Sequence, residues 1–256
     1  MLRILEVHHL HKSYSTEANP QRVHVLNDVN MTVDQGEFVA IMGESGSGKS
    51  TLLHILALYD QPTSGEVRWN GTHGHAMKEK EIAAFRIAQL GFVFQEFHLI
   101  DTFTLQDNII LPLVVARVPY MEMNKRLEPL ASQLGISHVL NRYPHEVSGG
   151  EQQRAAIARA LITNRQLIFA DEPTGALDAQ HTKQLLHLFV DLHARGQTLF
   201  MVTHSARVAS YAHRILFLQD GHISYQLYRG NASNEVMYHK ISDALNVFAT
   251  GGNPVE

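Results

Sequence analysis

The apolar residues of this chain fall into two rhythms that alternate along its length. The first 36 residues read as strands: Val25, Val29, Met31 and Val33 occupy odd positions with polar residues between them, and Asp34-Gln35-Gly36 marks a turn. Phe38–Met42 is a continuous apolar run, suited to a strand buried on both faces. A glycine-rich loop and a helical stretch over 49–59 follow it. Further buried strands are predicted at 92–94, at 167–170, which runs into Asp171-Glu172, and at 199–202, which runs into Thr203-His204. From about 95 to 161 the pattern is mostly helical. A helix over 179–195 is closed by Gly196, a residue suited to a helix C-cap. Residues 215–218 and 222–223 read as a hairpin around Asp220-Gly221. Strands alternating with helices predict a parallel α/β sheet, with the helical middle inserted into it. Beyond 226, Met237, Ile241, Ala244, Leu245 and Phe248 lie at helical spacing and Gly251-Gly252 ends the pattern, so a docked amphipathic helix is expected.

Composition narrows the function classes. The chain has 256 residues, 45% of them hydrophobic, enough for a sizeable core. A formal net charge of -4 lacks the basic excess of a dedicated nucleic-acid binder. Without cysteine there is no disulfide or thiolate site, which fits a reducing cytoplasm. No stretch approaches the roughly 18–20 uninterrupted apolar residues of a membrane span. The start of the chain, with Arg3 and Glu6, lacks the apolar core of a signal peptide. Membrane association is therefore expected only through a partner. Histidine is frequent, at 17 residues. His8, His9 and His11 on the first strand and His73 and His75 in a loop are not expected to bind metal, because no carboxylate or thiolate completes a ligand set.

The chemistry lies at the C-terminal ends of the buried strands, where open α/β sheets bind ligands. Gly43-Glu44-Ser45-Gly46-Ser47-Gly48-Lys49-Ser50 has P-loop spacing. Its glycines allow a tight loop with backbone N–H groups turned inward, and the following helix adds its positive N-terminal end. Lys49 would reach the β- and γ-phosphates of ATP, Ser50 would bind Mg²⁺, and Thr51 would contact the α-phosphate. Asp171 is expected to hold Mg²⁺ through water, and Glu172 to act as the general base on the attacking water. His204 is placed to contact the γ-phosphate.

Ser148-Gly149-Gly150-Glu151-Gln152-Gln153-Arg154 makes this P-loop sequence more specific. Ser148 and Glu151 have capping-box spacing before a good helix, giving a second anion-binding helix N-terminus. The stretch resembles the signature sequence of ABC ATPases, and the resemblance covers about residues 1–225. It implies a P-loop NTPase with a RecA-like core, an N-terminal antiparallel β subdomain and an inserted α-helical signature subdomain over about 96–161. A tail over 226–256 carries the amphipathic helix. It also implies a head-to-tail dimer in which each ATP lies between one copy's P-loop and the signature residues Ser148, Gly149, Gly150 and Glu151 of the other. Tyr14 resembles the aromatic residue that stacks on adenine, and Gln95 the glutamine that senses Mg²⁺ and the γ-phosphate. Asp178 closes a stretch resembling the loop that couples the two sites. Ser205 departs from the family, where many relatives carry an aspartate after the histidine, and this leaves the local support of His204 open.

Glu172-Pro173-Thr174-Gly175-Ala176-Leu177-Asp178 is similar to the cassettes of lipoprotein-release, macrolide-export and antimicrobial-peptide-resistance transporters. The tail, with Tyr228-Arg229-Gly230 before a helix, looks most like the bacitracin-type resistance group. The resemblance implies an ATPase at the cytoplasmic face of the membrane, driving a permease and paired in some relatives with a membrane sensor kinase. A signalling role remains open beside transport. Two non-transport classes share these motifs. DNA-repair and chromosome-organising ATPases place a long coiled coil between P-loop and signature, where this chain has only about a hundred residues. Translation-linked ATPases carry two cassettes per chain, where this one has a single P-loop and signature.

Overall fold

The computed structural model describes residues 2–16, 19–163, 165–250 and 252, and Gly251 and the side chain of His75 lie outside the described residues. In chain order the strands are β1 (Arg3–Thr16), β2 (Asn19–Asp34), β3 (Phe38–Met42), β4 (Ser64–Trp69), β5 (Thr72–His73), β6 (Leu90–Val93), β7 (Leu167–Asp171), β8 (Thr198–Val202), β9 (Arg214–Gln219) and β10 (His222–Tyr228). The helices are α1 (Lys49–Leu56), α2 (Glu79–Gln89), α3 (Leu105–Val115), α4 (Tyr120–Gln133), α5 (Gly149–Leu161), α6 (Ala179–Ala194), α7 (Ala206–Ala209) and α8 (Asn234–Ala249). They form two compact units, one within residues 1–83 and 198–256, the other within 84–197.

The first unit holds an antiparallel sheet in the order β2-β1-β4-β5. Its inward face is Leu5, Val7, Leu10, Leu26, Val29, Met31, Val33, Val67 and Trp69. The odd-position alternation read from the sequence holds from Val29 to Val33 but not before it: Leu26, not Val25, is buried. The phase changes where Asp28 (φ 53) on β2 and His9 (φ 48) on β1 leave the extended region, and the register shifts there. His9 Nδ1 lies 2.7 Å from Asp28 Oδ1 and the His9 N–H donates to Asn30 Oδ1 at 2.8 Å, so paired side chains hold the bulge.

The same unit carries β3, buried throughout, with β8 and β9 parallel on its two sides and β10 antiparallel beyond β9. Asp220 (φ 47) and Gly221 (φ 77) form the left-handed turn that joins β9 to β10. The C-terminal α8 docks through Met237, Ile241 and Ala244, all buried, and Phe248 meets the Phe217 ring at 5.4 Å.

In the second unit β6 runs parallel to β7, with Phe92 opposite Phe169. The helical stretch between them resolves into α3, α4 and α5, with short 3-10 turns between α4 and α5. Gly196 (φ 86) closes the turn after α6, its N–H donating to His193 O at 2.8 Å. Asn108 of α3 is fully buried and satisfies the loop before it, accepting from the Ile100 N–H at 2.7 Å and donating to the carbonyls of Ile100 and Thr104 at 3.1 and 3.0 Å. Arg159 of α5 donates to the Phe97 and His98 carbonyls at 2.9 and 2.6 Å. The segment between β6 and α3 therefore has little freedom although it has no regular structure.

Candidate nucleotide-binding and hydrolysis site

In the first unit the loop after β3 has the backbone geometry expected of a phosphate cradle. Gly46 (φ 82) and Gly48 (φ 100) adopt left-handed backbone that side chains resist. A Cβ on Gly43 would stand 2.2 Å from Leu218 O of β9 and 2.7 Å from Ser47 Oγ, so the loop passes closer to β9 than any other residue type allows. Gly48 is the N-cap of α1 and provides no side-chain cap, and the first turn holds no acidic residue. The helix therefore starts without a side-chain cap and with no acidic residue in its first turn to oppose its positive end. Lys49 Nζ folds over the loop, donating to Gly43 O at 3.0 Å and Glu44 O at 2.6 Å. Ser47 Oγ is buried without a hydrogen-bond partner among the described residues. A buried hydroxyl left unsatisfied at the start of a helix fits an anion that completes its bonding.

Tyr14 stands on β1 beside this loop and is 43% exposed. Its hydroxyl donates to Asp60 Oδ2 at 2.6 Å, and it also interacts with the Thr51 side chain. Partial burial, then the neighbouring Asp60 carboxylate, push the phenol above its usual range. His204 is exposed just past β8. β8 lies directly against β3, with Val202 opposite Ile41 and the Thr203 N–H donating to Ile41 O at 3.1 Å, so the histidine and the P-loop leave adjacent strand ends. Ser205, where many relatives have aspartate, accepts from the Val208 N–H at 3.3 Å and caps α7. The serine thus fills the structural part of that position.

In the second unit Gln95 is exposed shortly after β6, and Asp171 ends β7 at 5% exposure. Glu172 follows it in the left-handed region (φ 45), its carbonyl accepting from the Gly175 N–H at 3.1 Å. Asp178 caps α6, accepting from the His181 N–H at 2.8 Å and lying 2.7 Å from His181 Nδ1. The His181 backbone and ring hold Asp178 below the ordinary aspartate range. Ser148 and Glu151 close the capping box of α5: Glu151 Oε2 accepts from the Ser148 N–H at 2.8 Å and hydroxyl at 2.7 Å, and Ser148 Oγ accepts from the Glu151 N–H at 3.3 Å. In that helix Arg154 is buried beside Gly150 and feels the charges of Glu151 and Asp178.

Gly149 and Gly150 behave differently from the P-loop glycines. A Cβ on Gly149 would find its nearest neighbour, Phe97, at 3.7 Å, and one on Gly150 would find Arg154 Nη1 at 3.4 Å. Nothing among the described residues forbids a Cβ at Gly149, although each helical glycine costs about 1 kcal/mol relative to alanine.

Sequence reasoning missed Lys12 and Asp60, which hold Tyr14, and Asn108, which fixes the loop after Gln95. Each is a lone polar residue with no motif around it, and only its hydrogen bonds in the fold reveal its function.

The Ser148 bonds hold the Glu151 carboxyl below its usual range. A depressed folded-state pKa stabilises above the unfolded pKa, and that contribution is lost as pH falls through the folded value. Acid thermal melts should therefore lose about 1 kcal/mol of cap below the normal glutamate range. Glu151→Gln, still able to accept but not to titrate, should flatten that limb. An unchanged acid limb in the variant would remove the role of this carboxylate.

The ABC transporter family profile matches residues 26–175, and the chain belongs to that family. It is 44% identical over 247 residues to the uncharacterized ABC transporter ATP-binding protein YvcR of Bacillus subtilis, covering 96% of this chain and 95% of that one. It is 43% identical over 247 residues to the bacitracin export ATP-binding protein BceA of Halalkalibacterium halodurans, covering 96% and 97%. The fold matches the dimeric, ADP- and phosphate-bound structure of the ATP-binding cassette MJ0796 with a TM-score of 0.84 at 36% identity, covering 88% of this chain and 98% of that one. The chain is the ATP-binding and ATP-hydrolysing subunit of an ABC transporter. No helix among the described residues is long and apolar enough to cross a membrane.

Proposed function

We infer that this chain energises a membrane permease that exports antimicrobial peptides, working as a head-to-tail pair at the cytoplasmic face of the membrane. The peptide class is supported by end-to-end similarity to a bacitracin export ATP-binding protein, which extends through the tail. A sensor kinase in the same membrane is a further partner of this reading, and nucleic acid is not.

Tyr14 stacks on adenine, and Gly43, Glu44, Ser45, Gly46, Ser47, Gly48, Lys49 and Thr51 wrap the phosphates. Ser50, Gln95 and Asp171 offer hydroxyl, amide and carboxylate oxygens, a donor set suited to a hard cation, and would hold Mg²⁺. Mg²⁺ held there would supply positive charge to offset that of the phosphates. Glu172 accepts a proton from water as its oxygen attacks the γ-phosphorus, and His204 orients the γ-phosphate. Lys49 and the α1 N-terminus stabilise charge on the leaving ADP. Ser148, Gly149, Gly150 and Glu151 of the second copy cover the same phosphate, and Asp178 links the two sites. The observation that supports this pairing is the fold match to a dimeric ATP-binding cassette, and Gly149 is compatible with it, because a Cβ there would make only ordinary contact with the Phe97 ring.

Phe97, Leu99, Ile100 and Phe103 form the surface that meets the permease. Ile100 and Phe103 are 39% and 38% exposed on a loop that Arg159 and Asn108 hold still.

Purifying the chain with its native partner from membranes tests this reading. Co-purification of a multi-span protein, with ATPase activity stimulated several-fold by bacitracin-like peptides, is expected. Finding no membrane partner overturns the transport reading. A permease complex that ignores peptides but responds to lipoproteins or macrolides overturns the peptide assignment.

A further inference from the structure

An exposed aromatic ring near a strand end would ordinarily sample several rotamers, and stacking a base on it would cost the freedom lost. Tyr14 is instead held at its edge and on one face. Its hydroxyl is fixed to Asp60 Oδ2 at 2.6 Å. Lys12 Nζ lies 4.6 Å from the ring centroid, close enough for a cation–π contact. The two supports are locked to each other: Lys12 donates to Asp60 Oδ1 and to Gln61 O, both at 2.7 Å, and the Gln61 N–H donates to Asp60 Oδ1 at 2.7 Å. Lys12 is 9% exposed, so its ammonium serves this cluster rather than solvent. Burial works against the Asp60 charge, but Lys12 and Tyr14 outweigh it and keep the carboxylate below its usual range.

The location of Asp60 gives the cluster a purpose. It follows the turn that ends α1, where the Asp60 and Tyr59 N–H groups return to His54 O at 3.3 and 2.8 Å. α1 begins at Lys49, in the phosphate cradle. The helix therefore joins the phosphate seat at one end to the anchor of Tyr14 at the other.

We propose that Asp60 and Lys12 are positioning residues for the purine of ATP: they fix the tilt of the Tyr14 ring and its distance from the phosphate cradle, and so set the affinity for the base. Lys12 polarises the ring from behind, making its free face less electron-rich and a better surface for an electron-rich purine. This rests on the reading of Tyr14 as the adenine platform.

Calorimetric titration of the full chain with Mg-ATP and with Mg-tripolyphosphate, which has no base, separates base from phosphate recognition. Asp60→Ala should weaken ATP on the order of tenfold, the scale of one charge-assisted hydrogen bond, and leave tripolyphosphate within about twofold. Tyr14→Phe, which removes only the hydroxyl, should weaken ATP about threefold, and adding it to Asp60→Ala should cost nothing more. Equal weakening of both ligands by Asp60→Ala would make the residue merely structural and overturn the proposal, as would additive losses in the double variant. If Tyr14→Ala weakens ATP while Asp60→Ala does not, the platform stands and the positioning role falls. If Tyr14→Ala leaves ATP binding intact, the platform reading itself fails.

Discussion

Glu172→Gln is expected to lower ATP turnover by about a hundredfold or more while ATP binding persists, the usual range for loss of a general base. The change is nearly isosteric and sits just past a fully buried strand, so the chain should fold as before. What is lost, on the proposed mechanism, is the carboxylate that takes the proton from water. Glu172 is held in the left-handed region at φ 45, an unfavourable backbone state for a non-glycine residue. Strain of this kind persists where the surroundings over-determine it, often at sites that must aim a group. The variant should accumulate as an ATP-bound dimer, visible by size-exclusion chromatography with and without nucleotide. Wild-type turnover in the variant would sink the assignment of Glu172 as the base.

Gly43→Ala should disable the same site from the other side. The added Cβ would lie 2.2 Å from Leu218 O, a backbone atom in a strand that cannot turn away as a side chain can. Either β9 or the loop must move, at about 1–3 kcal/mol for an overpacked position. The melting temperature should fall by several degrees and Mg-ATP should no longer raise it, because inward N–H groups displaced by even a fraction of an ångström no longer converge on a phosphate. Gly46→Ala provides the contrast. Among the described residues nothing stands within 4 Å of a Cβ there, and only the φ of 82 resists it, worth roughly 1 kcal/mol. If the two variants melt alike, close approach to β9 is not what fixes the first glycine.

The glycine-rich loop was legible as a turn between a buried strand and a helix because its residues are close in sequence. The P-loop spacing located β3, the cradle and α1 together, and the Asp220-Gly221 pair located the hairpin. The C-terminal helix emerged from its period alone, with Met237, Ile241 and Ala244 buried. Short elements escaped. β4 and β5 carry few apolar residues, α2 buries no side chain and so shows no face, and α7 is only four residues long. The phase of β2 was misread before Val29 because a bulge at Asp28 shifts the buried face by one residue, and one exposed aspartate gives no warning of it. The strand after α2 begins at Leu90 rather than 92, since Gly91 interrupts the apolar run without ending the strand. The supports of Tyr14 lay beyond reach for a different reason: Lys12 and Asp60 are 48 residues apart, and no local pattern joins them.

The buried Asn108 has a thermodynamic consequence for assembly. A loop left to wander would have to be ordered whenever a partner bound, at about 1–2 kcal/mol of backbone entropy per residue. Asn108 and Arg159 meet that cost during folding of the chain itself, so Ile100 and Phe103 are offered on a surface already in its final shape. On the proposed reading this surface meets the permease, and more of the apolar area it covers is then left to appear as affinity. The stability of the helical unit and the grip on its partner are then set in part by the same amide side chain.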